Sequence, residues 1–384
     1  MPPSLPPPPP PQPTYELSVG GVFAAAAKRG ATKYGSGANK LLSTTRRSLS
    51  VDEAEQLREL TSHSLSRKTW SNYATAERML ATCCREKGIK LRLPVAEDTI
   101  IKFLLWMITV RGAKAATLHN YLAGIRQLHI AKGCPPPEIR TGLVAQILKG
   151  KANKEAASKN LGEATGRLPV TPDILLLLKA RLSESDFCPK DQRMLWTVCT
   201  NLFFGAFRGC ELLARSETEF DPAYTLLAED VLIIDDSIVS GEQTVRYRIK
   251  APKEDKLGRI TIVDVFQSRS DLCPVRAFQK WKNTNPPTAP GQSAFRWAKG
   301  TPLTGGKLTE VIRERLSGLL GGTERHYSTH SFRTGAASML GALGYSDSDV
   351  KALGRWNSRS FERYMKLPRS KRAAVAKEFS KAVV

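Results

Sequence analysis

Hydrophobic residues recur every three or four positions between residues 51 and 149, with polar residues between them. This period is typical of amphipathic helices, each of which buries one face. Pro94 precedes the second of these segments, and three consecutive prolines follow the third, which marks their boundaries. The pattern therefore predicts a unit of four helices, which we place at 57–80, 97–108, 115–130 and 138–149.

Residues 150–168 are polar, contain Gly and Lys, and show no hydrophobic period. This composition is typical of a linker. Beyond it, Thr171 is expected to cap a helix whose first residue is Pro172. The next helix, over 191–207, is hydrophobic on nearly every side, which indicates a central position in a core.

Three runs of alternating hydrophobic and polar residues follow this central helix. Alternation is typical of strands that bury one face, and here it predicts a small antiparallel sheet. The runs are 231–235, 244–250 and 258–264, and two further helices are predicted at 271–282 and 309–320. The predicted fold class is mainly α-helical with a small antiparallel β-sheet.

The chain has 384 residues, which is enough for two domains with cores of their own. We place these domains at 51–149 and 169–384, joined by the linker at 150–168. Residues 1–50 begin with a polyproline tract and are expected to be a largely disordered leader. A ligand for a proline-binding module is the alternative interpretation of that tract.

The formal net charge of +22 and the pI near 9.8 indicate a polyanionic partner. A membrane is the competing partner, but no hydrophobic run reaches the roughly 18 to 20 residues that a spanning helix needs. The seven cysteines form no CxxC pair, and only five histidines are present. We therefore expect reduced thiols, an intracellular protein and no metal site.

His330 and Arg333 are three residues apart and fall on one face of a predicted helix near the end of the chain. Ser328 or Thr329 is expected to cap this helix. Gly344 is expected to end it, because glycine readily takes the left-handed conformation of a helix C-terminus.

A second short helix is predicted over 347–353 and closed by Gly354, and a third over 359–366 carries Tyr364. The guanidinium of an arginine holds two phosphate oxygens in a planar fork and stays charged. A tyrosine hydroxyl, with a pKa of about 10, attacks weakly unless it is fixed beside a group whose charge is neutralised. The set suggests phosphate chemistry; a fragment of three helices with a core tyrosine and a surface arginine is the alternative.

The phrases HSFRTGAAS, ALGRW and RY, in this order, resemble the tyrosine recombinase (phage integrase) family. The sequences of these motifs look closest to those of recombinases of eukaryotic mobile elements, the DIRS-like retrotransposons and the Cryptons. The resemblance covers roughly residues 58–370, weakly in the first half and strongly in the second. It implies an N-terminal helical core-binding (SAM-like) DNA-binding domain over 51–149 and a C-terminal tyrosine recombinase catalytic domain over 169–384.

The resemblance also implies six catalytic residues, with a tyrosine as the nucleophile: Arg208, Lys253, His330, Arg333, Trp356 and Tyr364. Lys253, in a predicted hairpin turn, would protonate the leaving 5′ oxygen, and Lys250 and Lys256 are alternatives for this role. Trp356 stands where the family has His or Trp, and its indole N–H would bond to the scissile phosphate. Glu211 would orient Arg208; the alternative is an Arg–Glu pair that only caps a helix.

The implied function is site-specific recombination or integration of a mobile element, in which DNA strands are cut and rejoined through a 3′-phosphotyrosyl link. Its partners would be double-stranded DNA and further copies of the chain in a dimer or tetramer, with no cofactor, membrane or small-molecule substrate. In a eukaryotic host the protein would be nuclear. By charge and helix position, the candidate DNA contacts of the first domain are Arg67, Lys68, Lys114 and Arg126.

Three other functions fit parts of the pattern. A type IB topoisomerase would use the same catalytic residues but would relax supercoils alone. A DNA-binding protein derived from a mobile element would bind without cleaving. A purely structural helical protein would leave the net charge and the combined motif unexplained.

Overall fold

The computed structural model describes residues 15–16, 50–65, 67–158, 167–218, 221–235, 241–250, 260–284 and 289–356. The chain divides into two compact units, Met1–Glu163 and Ala164–Val384. The described residues are mainly α-helical with one three-stranded antiparallel sheet, which confirms the predicted fold class. None of the helices in these ranges is long and apolar enough to cross a membrane.

Helices dominate the first unit. They are α1 (Val51–His63), α2 (Arg67–Glu86), α3 (Glu97–Thr109), α4 (Ala115–Ala131) and α5 (Gly142–Ala157). Two short strands, β1 (Tyr15–Glu16) and β2 (Arg92–Leu93), pair antiparallel. Leu80, Phe103 and Leu118, from three successive helices, belong to one fully buried core.

Helix α5 differs from its prediction at both ends. The Glu138 carboxylate accepts a hydrogen bond from the backbone N–H of Arg140 at 2.6 Å, and this local turn delays the helix to Gly142. At the other end the helix continues to Ala157, inside the predicted linker. Alanine and lysine are strong helix formers, so residues 150–157 are helical without a hydrophobic period.

The second unit surrounds helix α7. Its helices are α6 (Pro172–Ser183), α7 (Pro189–Phe204), α8 (Gly209–Leu212), α9 (Pro274–Thr284), α10 (Gly305–Leu316), α11 (Thr329–Leu343) and α12 (Asp347–Gly354). The Thr171 side chain accepts a hydrogen bond from the Ile174 N–H, as expected for the cap of α6. Buried residues on several sides of α7, among them Met194, Val198 and Leu202, confirm its central position.

The sheet of the second unit consists of β3 (Val231–Asp235), β4 (Gln243–Ile249) and β5 (Thr261–Phe266), in that spatial order. The third strand begins three residues later than predicted. Tyr247 pairs with Val231 on one side and Val263 on the other, and all three are buried. The Tyr247 ring meets the ring of Phe207 at 4.9 Å between centroids, so the inner face of the sheet packs on the segment that follows α7.

Two helix boundaries that lie at glycines depart from prediction. Helix α7 ends at Phe204, not at 207, because Gly205 caps it and Ala206 takes a positive φ of 44°. Helix α10 begins at Gly305, not at 309, because the Thr304 side chain caps it and accepts the Lys307 N–H at 3.2 Å. Two glycines at its start lower the helix propensity there, so propensity alone does not predict that the helix begins at this point.

Candidate active site

Helix α11 presents His330 and Arg333, and it begins and ends as predicted. Ser328 is its N-terminal cap residue, and its backbone N–H donates to the Ser331 hydroxyl at 3.1 Å. Gly344 ends the helix in the left-handed conformation, with φ 90°. His330 is half-buried in the first turn, and Arg333 is 1% exposed one turn later.

Two glycines allow other segments to approach α11 closely. A Cβ on Gly335 would overlap the carbonyl group of Val170, whose N–H donates to the Ser331 carbonyl at 2.9 Å. A Cβ on Gly209 would lie 2.7 Å from Oγ1 of Thr329. The start of α8 therefore contacts the start of α11. This contact brings Arg208, which precedes α8, to the N-terminal end of α11, where His330 lies.

Arg333 connects three segments of the second unit. Its Nη1 donates to the carbonyl of Ala206, in the turn after α7, and its Nη2 donates to the carbonyl of Gly354, at the end of α12. Its Cζ lies 4.1 Å from the centroid of the Trp356 ring, a cation–π contact. A buried guanidinium is tolerated when its donors are satisfied in this way.

Helix α12 ends differently from its prediction. Gly354 is helical, and the left-handed residue is Arg355, with φ 54°. Gly354 serves a different purpose, because a Cβ there would overlap the ring of Trp356. The ring is 8% exposed and packs in a small cluster with Ala337 and Val350.

Glu211 is the acidic centre of the site. Its side chain is 3% exposed, and its Oε1 lies 2.8 Å from Nη1 of Arg208. Its Oε2 accepts the backbone N–H of Arg208 at 2.9 Å and Nη2 of Arg355 at 3.0 Å. Burial alone would raise the pKa of Glu211, but the charge of Arg355 and the Arg208 contacts outweigh it, and the pKa is lowered.

Arg355 was not among the residues expected at the site. Its Nη1 donates to the carbonyls of Gly205, at 3.2 Å, and Leu353, at 3.0 Å. Its Cζ lies 5.0 Å from the centroid of the Phe207 ring. The sequence offered one signal that Arg355 belongs to the candidate site, namely its position directly before Trp356. Three guanidinium groups and one carboxylate thus make this part of the second unit positively charged.

The remaining expected site residues are placed less completely. Tyr364, Lys253 and Lys256 lie outside the described residues. Lys250 precedes the hairpin turn, and its Nζ lies 2.6 Å from Oδ2 of Asp230, a side chain that is 3% exposed. This ion pair occupies the amine that a general acid would need.

The candidate DNA contacts lie in the first unit. Arg67 and Lys68 begin α2, and their side chains are outside the described part. Lys114 is exposed directly before α4, and Arg126 is half-buried within that helix. Glu155 caps α4, because its Oε1 accepts the Ala115 N–H at 2.9 Å; this hydrogen bond, more than nearby lysines, lowers its pKa. The DNA-binding roles of the four basic residues stay predictions.

The chemistry of the described side chains gives no indication of a metal. Among the described residues, no group of three or more His, Cys, Asp or Glu side chains could hold a metal ion. All seven cysteines lie in this part of the chain as free thiols, and five of them are buried. Burial raises the pKa of Cys199 to about 12, so this thiol stays protonated.

Comparisons with protein-family models and with curated proteins find no match. Solved structures do match. The chain is similar to the XerH site-specific recombinase in a post-cleavage complex with a palindromic difH substrate, at 13% identity and TM-score 0.53, over 94% of this chain and 93% of that chain. It is also similar to the Tn1549 transposon integrase in complex with transposon right end DNA, at 14% identity and TM-score 0.52, over 85% and 96%. At these identities the likeness establishes the fold, which is the tyrosine recombinase fold.

Proposed function

We propose that this chain is a tyrosine site-specific DNA recombinase or integrase, which cuts and rejoins DNA strands for the integration or excision of a mobile element. One observation carries the proposal. Arg208 and Arg333 are far apart in the sequence, yet Arg208 immediately follows the turn whose carbonyl binds Arg333, and His330 lies on the same helix as Arg333. The wording of the C-terminal motif and the net charge of +22 also support it.

In the proposed reaction, the hydroxyl oxygen of Tyr364 attacks the scissile phosphorus while the bond to the 5′ oxygen breaks. The phenol loses its proton with the assistance of His330, and the leaving 5′ oxygen takes a proton from Lys253. One P–O bond replaces another, so the 3′-phosphotyrosyl link conserves the bond energy and the step is reversible. The free 5′ hydroxyl of a second strand can then attack the same phosphorus and release Tyr364.

The arginines would supply the electrostatic part of the catalysis. Negative charge develops on the two non-bridging oxygens as Tyr364 attacks, and fixed guanidinium groups stabilise it without reorganisation. Loss of one such donor typically costs about 3 to 4 kcal/mol in activation free energy. Glu211, which is ionised and buried, would hold Arg208 in place. Trp356 would donate its N–H to the phosphate, as the motif predicts.

The partners follow from the same proposal. Double-stranded DNA would be the polyanion that the net charge indicates, with Lys114 and Arg126 as its contacts in the first unit. Strand exchange needs two duplexes, so the chain would act as a dimer or tetramer. The reaction conserves phosphate bond energy and uses guanidinium groups for charge, so no cofactor is expected. In a eukaryotic host, the protein would act in the nucleus.

A second candidate function has one observation in its favour. Arg333 is 1% exposed, and its two Nη atoms both donate to main-chain carbonyls. In this arrangement Arg333 stabilises the fold, as it would in a DNA-binding protein that derives from a mobile element and does not cleave. These two bonds use two of the five N–H groups of the guanidinium, and the catalytic proposal requires that DNA binding brings the phosphate into contact with at least one of the five.

A suicide-substrate assay distinguishes the two candidates. Nicked duplexes from a random-sequence pool are incubated with wild type and with Tyr364→Phe in EDTA, and adducts are separated on a denaturing gel. An adduct with wild type alone would support the recombinase. Salt-sensitive binding by both proteins, without an adduct from any member of the pool, would support the non-cleaving protein.

A further inference from the structure

We propose that Arg355 is a positioning residue of the active site, which acts through Glu211 to hold the Arg208 guanidinium where a phosphate can meet it. The proposal rests on the function proposed above and adds a residue to it. Arg355 itself contacts protein groups: a carboxylate, two main-chain carbonyls and an aromatic ring.

The carboxylate of Glu211 is shared between two arginines. Nη1 of Arg208 lies at Oε1 of Glu211, and Nη2 of Arg355 lies at Oε2. Because the Glu211 side chain is 3% exposed, the loss of a partner at Oε2 is costly unless another donor takes its place. If Arg355 were absent, Arg208 would be the cation within reach of both oxygens. A bidentate fork on Glu211 would then draw the Arg208 guanidinium toward the carboxylate.

Arg355 is itself held in a fixed position. Its backbone is left-handed, with φ 54°, a conformation that usually falls to glycine or asparagine at the end of a helix. Its side chain is 20% exposed and is fixed by the Gly205 and Leu353 carbonyls and by the face of the Phe207 ring. A guanidinium held at this many points can fix Glu211 in turn.

Arg355 also links two segments that are far apart in the chain. It stands at the end of α12, directly before Trp356, and the sequence continues from there to Tyr364. Its contacts with Gly205 and Glu211 tie this end of α12 to the segment that carries Arg208. One residue therefore connects the phosphate-binding arginine to the chain that leads to the proposed nucleophile.

The test uses the full-length chain and three variants: Arg355→Gln, Arg355→Lys and the control Arg296→Gln. Arg296 is a matched control, because it is also half-buried and also bonds a main-chain carbonyl, that of Gly300, but it touches neither Glu211 nor Arg208. DNA affinity and the single-turnover rate constant of adduct formation are measured separately, with thermal unfolding as the check on folding.

For Arg355→Gln we expect the rate constant to fall by about a hundredfold, the typical effect of a catalytic group that is misplaced by about 1 Å. Affinity for DNA should stay within about twofold, because the Arg355 guanidinium is held by protein partners: Glu211, two main-chain carbonyls and the Phe207 ring. Arg355→Lys should recover part of the rate, since lysine keeps a charge at Oε2 but loses the planar fork. Arg296→Gln should react as wild type does.

Two results would overturn the proposal. The first is a rate constant for Arg355→Gln equal to that of Arg296→Gln. The second is a Glu211→Gln/Arg355→Gln double variant whose loss is the product of the two single losses, because residues that act through one another give a smaller combined effect.

A crystal structure of Arg355→Gln without DNA tests the proposal independently of the reaction. We expect the Arg208 guanidinium to have moved onto both oxygens of Glu211. If the Arg208 guanidinium keeps only its present contact, Nη1 to Oε1 at 2.8 Å, and gains none to Oε2, Arg355 does not position it, and the inference is wrong. If wild type forms no adduct, the proposed function fails, and the crystal structure still decides the role of Arg355 on Arg208.

Discussion

Replacement of Gly354 by alanine separates helix propensity from packing at the candidate active site. Gly354 is the last residue of α12 and has a helical backbone. By propensity alone, alanine would stabilise the second unit by up to about 1 kcal/mol. The structure predicts the opposite sign, because the new Cβ would overlap three ring atoms of Trp356.

The magnitude follows from what the ring must give up. Overpacking of a buried site typically costs about 1 to 3 kcal/mol. If the ring moves away instead, it loses its contact with Arg333, where 4.1 Å now separate Cζ and the ring centroid, and a buried cation–π contact is worth about 2 kcal/mol. After subtraction of the propensity gain of up to about 1 kcal/mol, we expect Gly354→Ala to lower the free energy of unfolding by about 1 to 2 kcal/mol.

Thermal unfolding of the second unit measures this effect. A unit of this size should lose roughly 2 to 4 °C in Tm for each kcal/mol. The matched control is Gly306→Ala in α10, where the nearest group to an added Cβ is the Thr304 hydroxyl at 3.9 Å. The control should be neutral or slightly stabilising. A Gly354→Ala variant as stable as Gly306→Ala would refute the argument that Trp356 occupies this space.

Two buried ionisable groups and the indole ring give further measurable outcomes. Burial lowers the pKa of His129, so below about pH 6.5 the unfolded chain takes up a proton that the folded first unit does not. The free energy of unfolding of that unit, measured in urea, should therefore decrease as pH falls from about 7.5 to about 5.5. Lys250→Met leaves the buried Asp230 carboxylate without its cation and should destabilise the second unit by about 3 to 5 kcal/mol. Trp356→Ala should cost about 3 to 5 kcal/mol and Trp356→Phe about 1 kcal/mol, because phenylalanine keeps a ring on Arg333.

Each of these outcomes has its own control. His129→Gln should remove the pH dependence of the first unit; a slope that persists would mean that another group titrates. Lys307→Met removes an exposed pair with Glu310 and should cost less than about 1 kcal/mol, so an equal loss from Lys250→Met would contradict a buried ion pair. Equal losses from Trp356→Phe and Trp356→Ala would show that the ring face contributes nothing.

The sequence predicted those elements whose signals are local. Ser328 and Gly344 mark the two ends of α11 because a hydroxyl and a missing Cβ act on the nearest backbone. The alternating pattern predicted β4 correctly because its inward-facing residues, among them Val245 and Tyr247, are buried. Local signals failed where glycines begin a helix, as in α10, and where alanines continue one without a hydrophobic period, as in α5.

The candidate site was predictable only in part, for a physical reason. His330, Arg333 and the Arg208–Glu211 pair follow from spacing, because residues three apart share a helix face or a helix start. Arg355 does not, since its partner Glu211 is far away in the sequence. A contact of this kind appears only when two segments are packed together.

The turn after α7 explains how these separate residues come together in the candidate site. The consecutive carbonyls of Gly205 and Ala206 accept Arg355 and Arg333, respectively, and Arg208 follows them in the chain. Ala206, the second of these two residues, takes a positive φ of 44° in this turn. Because carbonyl groups are the same in every residue, no sequence motif records this arrangement. The site is therefore held as much by main-chain acceptors as by the side chains that a motif can show.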